Sequence, residues 1–179
     1  MWDRAKAIEA VVYLASQIND PTKMKICKLL YFADKLHMSR YGRFISGDNY
    51  VAMEHGPVPS KIYNIIRRVE RGEENDAFSV PNSRTIAPQR PADLYEFSDT
   101  DIECFEETLR DYGNKTAKQL RDMSHGDAWD KVSDFGRIFD DQAKGPKSVP
   151  MPLELIVNEL PNSVAVRELL EQEGYLPHP

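Results

Sequence analysis

The stretch KICKLLYFADKLHM, residues 25–38, decides the fold of this 179-residue chain. Its apolar residues recur at the three- and four-residue spacing of a helix and form one stripe of Ile26, Leu29, Leu30, Ala33 and Leu36. Another face of the same helix carries Lys25, Lys28 and Lys35. Such an apolar helix is typical of the middle of a core, with other elements packed around it. The pattern therefore predicts a helical domain built around a helix over residues 22–40.

The flanking segments predict further helices. Residues 3–19 form the first, with Asp3 as its N-cap, and the third begins at Ser60, which we expect to be its N-cap. In the second half, the pair of Ser98 and Asp101 opens a helix that ends at Gly113. Two shorter helices follow: TAKQLRDMS, capped by Thr116, and a segment around DAWDKV.

The remaining segments predict only short strands. Residues 44–54 indicate a strand pair or a strand and a turn, with Gly47-Asp48 as turn residues, and the segments RTIAP and LYEF between residues 84 and 97 indicate two more short strands. The fold class is therefore mainly α, a single helical domain with a small antiparallel β element and a C-terminal helical extension. We place the domain at residues 1–142, a proline-rich linker at 143–152, and the extension at 153–179.

Composition excludes several classes of protein. The chain is 41% hydrophobic and 29% charged, as expected for a globular protein with a real core. No apolar run approaches the roughly 18 residues that span a bilayer, and the charged N-terminus does not resemble a signal peptide. We therefore expect a cytoplasmic protein with no membrane partner. Cys27 and Cys104 lie inside helical patterns and are expected to be buried thiols.

Charge is distributed unevenly along the chain. Residues 1–72 carry 12 Lys and Arg against 7 Asp and Glu, whereas residues 73–179 carry 11 against 22. Such an asymmetry is compatible with a nucleic-acid surface, with two faces that attract each other, or with a protein partner. A DNA-binding regulator is thus one alternative, since the second helix follows a short turn. That helix is too apolar for a recognition helix, so we do not expect a nucleic-acid partner.

The sequence carries few signs of catalysis or metal binding. The four histidines, at 37, 55, 125 and 178, show no metal-ligand spacing, and no nucleophile motif or phosphate-binding loop is present. We therefore expect no enzyme activity, no metal and no cofactor. His55 and His125 each precede a glycine at an element boundary, where a ring nitrogen can hold loop carbonyls. The competing interpretation is a hydrolase that uses these two side chains.

Three stretches in order resemble one family. They are KICKLLYFADKLHMSRYGR, then EHGPVPSKIY, and later YGNKTAKQLRDMSHGDAW. This order is similar to the Panacea domain, the SocA-like, phage-associated domain of bacterial antitoxins. The matching segments are Lys28 to Ala33, with Tyr31; Gly56-Pro57-Val58, with Tyr63; and Ser124-His125, with Trp129. The resemblance covers about residues 4–135, and His55 departs from it because family members often carry an aromatic residue there.

The resemblance implies a mainly helical antitoxin that neutralises a toxin from the adjacent gene by direct contact and without catalysis. Family toxins are diverse, and one member hands its toxin to a protease, so a protease is a further candidate partner. A homo-oligomer is also compatible with the resemblance. It implies structural or toxin-binding roles for Tyr31, His55, Gly56, Pro57, Tyr63, His125 and Trp129. We call EHGPVPS, residues 54–60, the corner, and expect it to be an architectural joint that His55 holds. The C-terminal extension either packs on its own domain or supplies partner contacts.

Overall fold

The computed structural model describes residues 1–140 and 147–177, and in these residues the chain is mainly α, as predicted. Its α-helices are α1 (Arg4–Gln17), α2 (Lys23–Tyr41), α3 (Ser60–Glu70), α4 (Asp99–Tyr112), α5 (Ala117–Ser124), α6 (Asp127–Ser133), α7 (Leu153–Asn158) and α8 (Ser163–Gln172). Its strands are short: β1 (Tyr50–Met53), β2 (Gly56–Pro59), β3 (Phe78–Ser79), β4 (Ala87–Pro88) and β5 (Val149–Pro150).

Helix α2 is the central element of the fold. It contacts α1, α4, α5, α7, α8 and β2, and the residues of its apolar stripe are buried except for Leu36, which is half-buried. Lys25 and Lys28 are buried as well, although their spacing indicated a separate face. Because α2 is surrounded, its second face meets other elements instead of water. A recognition helix needs an exposed polar face, so α2 does not fit the DNA-binding alternative.

Several helix ends follow local sequence signals. Asp3 caps α1 by accepting a hydrogen bond from the backbone N–H of Lys6. Ser98 and Asp101 form a reciprocal capping box at the start of α4, and Thr116 does the same with Gln119 at α5. These caps depend on side chains within three residues of the helix start, which is why the sequence predicts them.

The start of α3 corrects one expectation. Ser60 is the first helical residue, and Pro59 occupies the N-cap without a side-chain hydrogen bond. The cap comes from Asp48, whose carboxylate accepts hydrogen bonds from the N–H groups of Lys61 (3.1 Å) and Ile62 (2.9 Å). The β1–β2 hairpin between them folds the chain back, so a residue twelve positions earlier reaches the helix start.

The strands also differ in detail from the expectation. The hairpin joins β1 to β2 through Glu54 and His55, and not through a turn at Gly47-Asp48. A three-stranded antiparallel sheet has the order β2-β1-β5, and β3 pairs with β4 in a separate ladder. The LYEF segment is wrong as a strand, because Leu94–Glu96 is a 3-10 helix. Its capping residue Asp93 accepts a hydrogen bond from the N–H of Tyr95, which favours a turn.

The C-terminal extension packs on the rest of the chain. Its apolar side chains form one cluster with Met38 of α2, made by Val157, Leu160, Val166, Leu170 and Leu176. Residues 143–146 of the predicted linker lie outside the described residues. In the described part of that linker, β5 pairs with β1, so this segment adds a strand to the sheet. The domain boundaries themselves stay a prediction.

Candidate functional site

The corner is a tight joint between β1 and α3. Gly56 has φ +95°, in the left-handed region that favours glycine, directly after the two turn residues. Strand β2, which contains Pro57 and Pro59, lies at the edge of the sheet. Proline has no N–H to donate, so an edge position is where a strand tolerates it. The residues of the corner thus match the backbone geometry that each position requires.

Gly56 also allows three side chains to approach the backbone closely. A Cβ atom at this position would lie 2.8 Å from Lys28 Nζ, 2.8 Å from Ser124 Oγ and 2.9 Å from His125 Cδ2. These atoms come from α2 and from the end of α5, so the glycine is the point where both helices meet β2. The structure therefore brings together three stretches that lie far apart in the sequence.

Lys28 is the most unusual side chain at the corner. Its side chain is almost completely buried, and its ammonium donates a hydrogen bond of 2.7 Å to the carbonyl oxygen of Pro57. Burial lowers the pKa of Lys28 to about 7, because the charged form loses its hydration. Lys28 therefore ties α2 directly to β2, a role that the sequence motif alone did not indicate.

His125 and Trp129 form the opposite wall of the corner. Their rings stack with centroids 3.8 Å apart and an interplanar angle of 3°. The indole Nε1–H of Trp129 donates to the carbonyl oxygen of Met53, the last residue of β1. Burial is the main cause that lowers the pKa of His125, with nearby Lys28 adding to it. The buried Nε2 of His125 has no hydrogen-bond partner in the described residues.

His55 does not hold the corner as expected. Its side chain is exposed in the hairpin turn and makes no hydrogen bond within the described residues. The side chains of a two-residue turn point into solvent. The hydrogen bonds that hold the corner in place come instead from Lys28, to Pro57, and from Trp129, to Met53. Tyr63 also lies outside the corner, in α3, where Arg67 donates a hydrogen bond of 3.3 Å to its hydroxyl.

Tyr31 takes part in a second joint, centred on Glu159 at the end of α7. One carboxylate oxygen accepts hydrogen bonds from the Tyr31 hydroxyl (3.1 Å) and from Lys35 Nζ (2.7 Å). The other accepts from the N–H of Ala128 in the first turn of α6. The carboxylate thus neutralises a lysine and occupies the positive end of a helix. Its partners lie more than thirty positions away, so no local pattern could have revealed it.

The pKa of Lys28 predicts how stability depends on pH. The unfolded chain keeps this proton up to its ordinary pKa of 10.5, whereas the folded chain releases it above about 7. Unfolding therefore takes up a proton between these values, and the free energy of unfolding should rise with pH by at most about 1.4 kcal/mol per unit. We expect Lys28→Met to remove this slope in urea denaturations at about pH 7, 8 and 9.

The control for this prediction is Lys118→Met, which removes an exposed lysine on α5. It should keep the pH profile of the wild type. Parallel profiles for Lys28→Met and the wild type would contradict a buried lysine that releases its proton on folding.

The comparison with protein families identifies the class of the chain. The model of the family described as "Antitoxin SocA-like, Panacea domain" matches residues 26–130, more than half of the chain. The chain therefore belongs to this family, and the resemblance inferred from its motifs is confirmed. The matched region contains most of α2, the corner and the His125–Trp129 stack. No curated protein and no solved structure shows a significant similarity to the chain.

The described residues contain neither a membrane-spanning helix nor a cluster of metal ligands. None of their helices combines the length and the hydropathy needed to cross a membrane. In residues 1–140 and 147–177, no group of three or more His, Cys, Asp or Glu side chains could hold a metal ion. Cys27 and Cys104 are both buried and free.

Proposed function

We propose that this chain is an antitoxin that neutralises a toxic protein from the adjacent gene by binding it directly in the cytoplasm, without catalysis. The observation that carries the proposal is membership of the SocA-like antitoxin family over residues 26–130. The toxin is a protein partner in this proposal, and the antitoxin acts by occupying its surface. Transfer of the toxin to a protease would be an additional step on the same complex.

The bonding at the corner supports a role without catalysis. The polar side chains around the corner donate hydrogen bonds to backbone carbonyls: Lys28 to Pro57, Ser124 to Arg121, and Trp129 to Met53. A catalytic nucleophile instead needs a hydrogen bond to its base. The corner therefore has the contacts of a structural joint. We assign an architectural role to Gly56 and Pro57 in the corner, to His125 and Trp129 beside it, and to Tyr31 at the second joint.

Co-expression tests the proposal. Expression of the neighbouring gene alone should stop growth, and co-expression of this chain should restore it, with both proteins recovered as one complex by affinity and size-exclusion chromatography. An immunoblot of the toxin separates the two routes, since its level stays constant under simple binding and falls under transfer to a protease. Toxicity that persists at full expression of the folded chain would contradict the proposal.

Substitution of the exposed His55 distinguishes the proposed antitoxin from the alternative, a hydrolase that uses this side chain. Because its side chain is exposed and makes no hydrogen bond within the described residues, His55→Ala should leave the melting temperature unchanged and should neutralise the toxin fully. Loss of neutralisation at an unchanged melting temperature would instead indicate that His55 acts in binding or catalysis. The matched variant is His125→Ala, whose loss of stacking on Trp129 should lower the melting temperature.

A further inference from the structure

A groove of about 740 Å³ lies beside α3. Its lining comes from the chain start, the end of β1, α3 and the segment before β5. Six basic side chains line it, and among the described residues no Asp or Glu does: Arg4, Lys61, Arg67, Arg68, Arg71 and Lys147. Trp2 and Tyr63 add aromatic surface to the same groove. The groove is therefore a cationic concavity with apolar walls, which we call the basic groove.

The basic groove follows from the amphipathic pattern of α3. Ile62, Ile65 and Ile66 turn one face of this helix into the core. Lys61, Arg68 and Arg71 recur at helical spacing on the other face, next to Tyr63 and Arg67. The core thus orients α3 so that its basic face lines the groove.

Several of these cations lack an anionic partner. Arg67 and Arg68 lie near Glu70 and Glu73, at 3.4 and 3.5 Å, and Glu70 is also bonded to Lys23. Within the described part of the chain, Arg4, Lys61 and Arg71 form no ion pair with a carboxylate. The ammonium of Lys61 lies 4.9 Å from the ring centroid of Trp2. The buried Nε–H of Arg67, the group 3.4 Å from Glu70, makes no hydrogen bond within the described residues.

A bound anion would reduce the repulsion among the cations of the basic groove. Like charges that share one concavity repel each other, and the low-dielectric walls strengthen their attraction for an incoming negative charge. Arginine is suited to this task, because its planar fork binds carboxylates through two hydrogen bonds. The aromatic walls offer contact area for the aliphatic parts of a chain in the groove.

We infer that the basic groove binds an acidic segment of the toxin. This inference rests on the proposed function, which supplies a protein as partner. The charge of the whole chain favours a short acidic segment over a nucleic acid, since residues 73–179 carry twice as many acidic as basic side chains. The net charge of the chain, −6, repels a long polyanion, whereas a segment of a few residues fits inside the groove.

Charge reversal tests the inference. Arg4→Glu with Arg71→Glu changes two exposed cations of the groove, one at a helix start and one at a helix end. The matched control is Lys118→Glu with Lys131→Glu, which makes the same charge change at the start of α5 and the end of α6. Circular dichroism and melting curves first show that both double variants are folded.

Fluorescence anisotropy then measures binding of a fluorescein-labelled glutamate decapeptide and a labelled ten-nucleotide oligothymidylate. We expect the wild type to prefer the peptide, and the groove variant to lose about tenfold or more of this affinity at low salt. The control variant should keep both the affinity and its salt dependence. In cells, the groove variant should lose neutralisation of the toxin from the adjacent gene, and the control should retain it.

Each other outcome overturns the inference. Equal loss in both double variants would indicate general electrostatics, and preference for the oligonucleotide would indicate a nucleic-acid surface. Full neutralisation by a folded groove variant would remove the groove as the toxin contact and leave the proposed function intact. Failure of the wild type to neutralise would remove the toxin as occupant, and with it both proposals.

Discussion

Gly56→Ala is expected to lower the free energy of unfolding by about 3 kcal/mol or more. Two costs add at this position. An alanine must adopt φ +95°, and its Cβ would lie within 3.0 Å of atoms of Lys28, Ser124 and His125. Lys28 is buried and bonded to Pro57, so it cannot move away without losing that bond. Urea denaturation at constant pH measures the change.

Gly72→Ala is the matched control for this prediction. Gly72 has nearly the same φ, +98°, but a Cβ there meets nothing within 4 Å. Its substitution should therefore cost only the conformational term, about 1 kcal/mol. The difference between the two variants isolates the close approach at the corner. Equal costs at the two glycines would show that Lys28, Ser124 and His125 do not press against Gly56.

Removal of residues 145–179 is expected to destabilise the domain by about 5 kcal/mol or more, which equals the total stability of many domains. The removed residues supply buried apolar side chains to two clusters: Met151 and Ile156 to the one with Tyr31 and Tyr50, and Val157, Leu160, Val166, Leu170 and Leu176 to the one with Met38. Each fully buried side chain of this size contributes about 1.5–3 kcal/mol. The truncated chain should bind a hydrophobic dye and melt early. An unchanged melting temperature would show that the domain is independent of the extension.

Glu159→Ala tests the same packing without a deletion. It leaves the Ala128 N–H, the Tyr31 hydroxyl and Lys35 without their shared acceptor, at an expected cost of about 2–4 kcal/mol. Glu159→Gln keeps the shape and loses the charge, so its cost should be smaller. If both variants match the wild type in urea, the Glu159 joint does not stabilise the fold.

Whether the extension contacts the partner needs a different test, because its removal is expected to destabilise the domain itself. Val164 and Tyr175 remain 71% and 62% exposed on the extension. Substitution of both by serine should leave the melting temperature unchanged. Loss of neutralisation in that variant would make the extension a partner element.

The sequence by itself determined the features that depend on near neighbours. The apolar spacing of residues 25–38 predicted a buried central helix, and the capping pair at Ser98 and the cap at Thr116 predicted where α4 and α5 begin. The order of three motifs predicted the family. These predictions succeed because helix periodicity and caps involve side chains within about four positions of each other.

Only the tertiary structure decided how the distant segments meet. Lys28 bonds to Pro57 29 positions away, Asp48 caps a helix that begins beyond a hairpin, and Glu159 reaches Tyr31 across 128 positions. Each buried polar group needs a partner, but the sequence does not state which one, since any folded arrangement that satisfies the group would serve. The exposure of His55 and the basic groove beside α3 follow from the same assembly. Tertiary packing determines which polar faces stay exposed to water, whereas the spacing of apolar residues identifies only the faces that become buried.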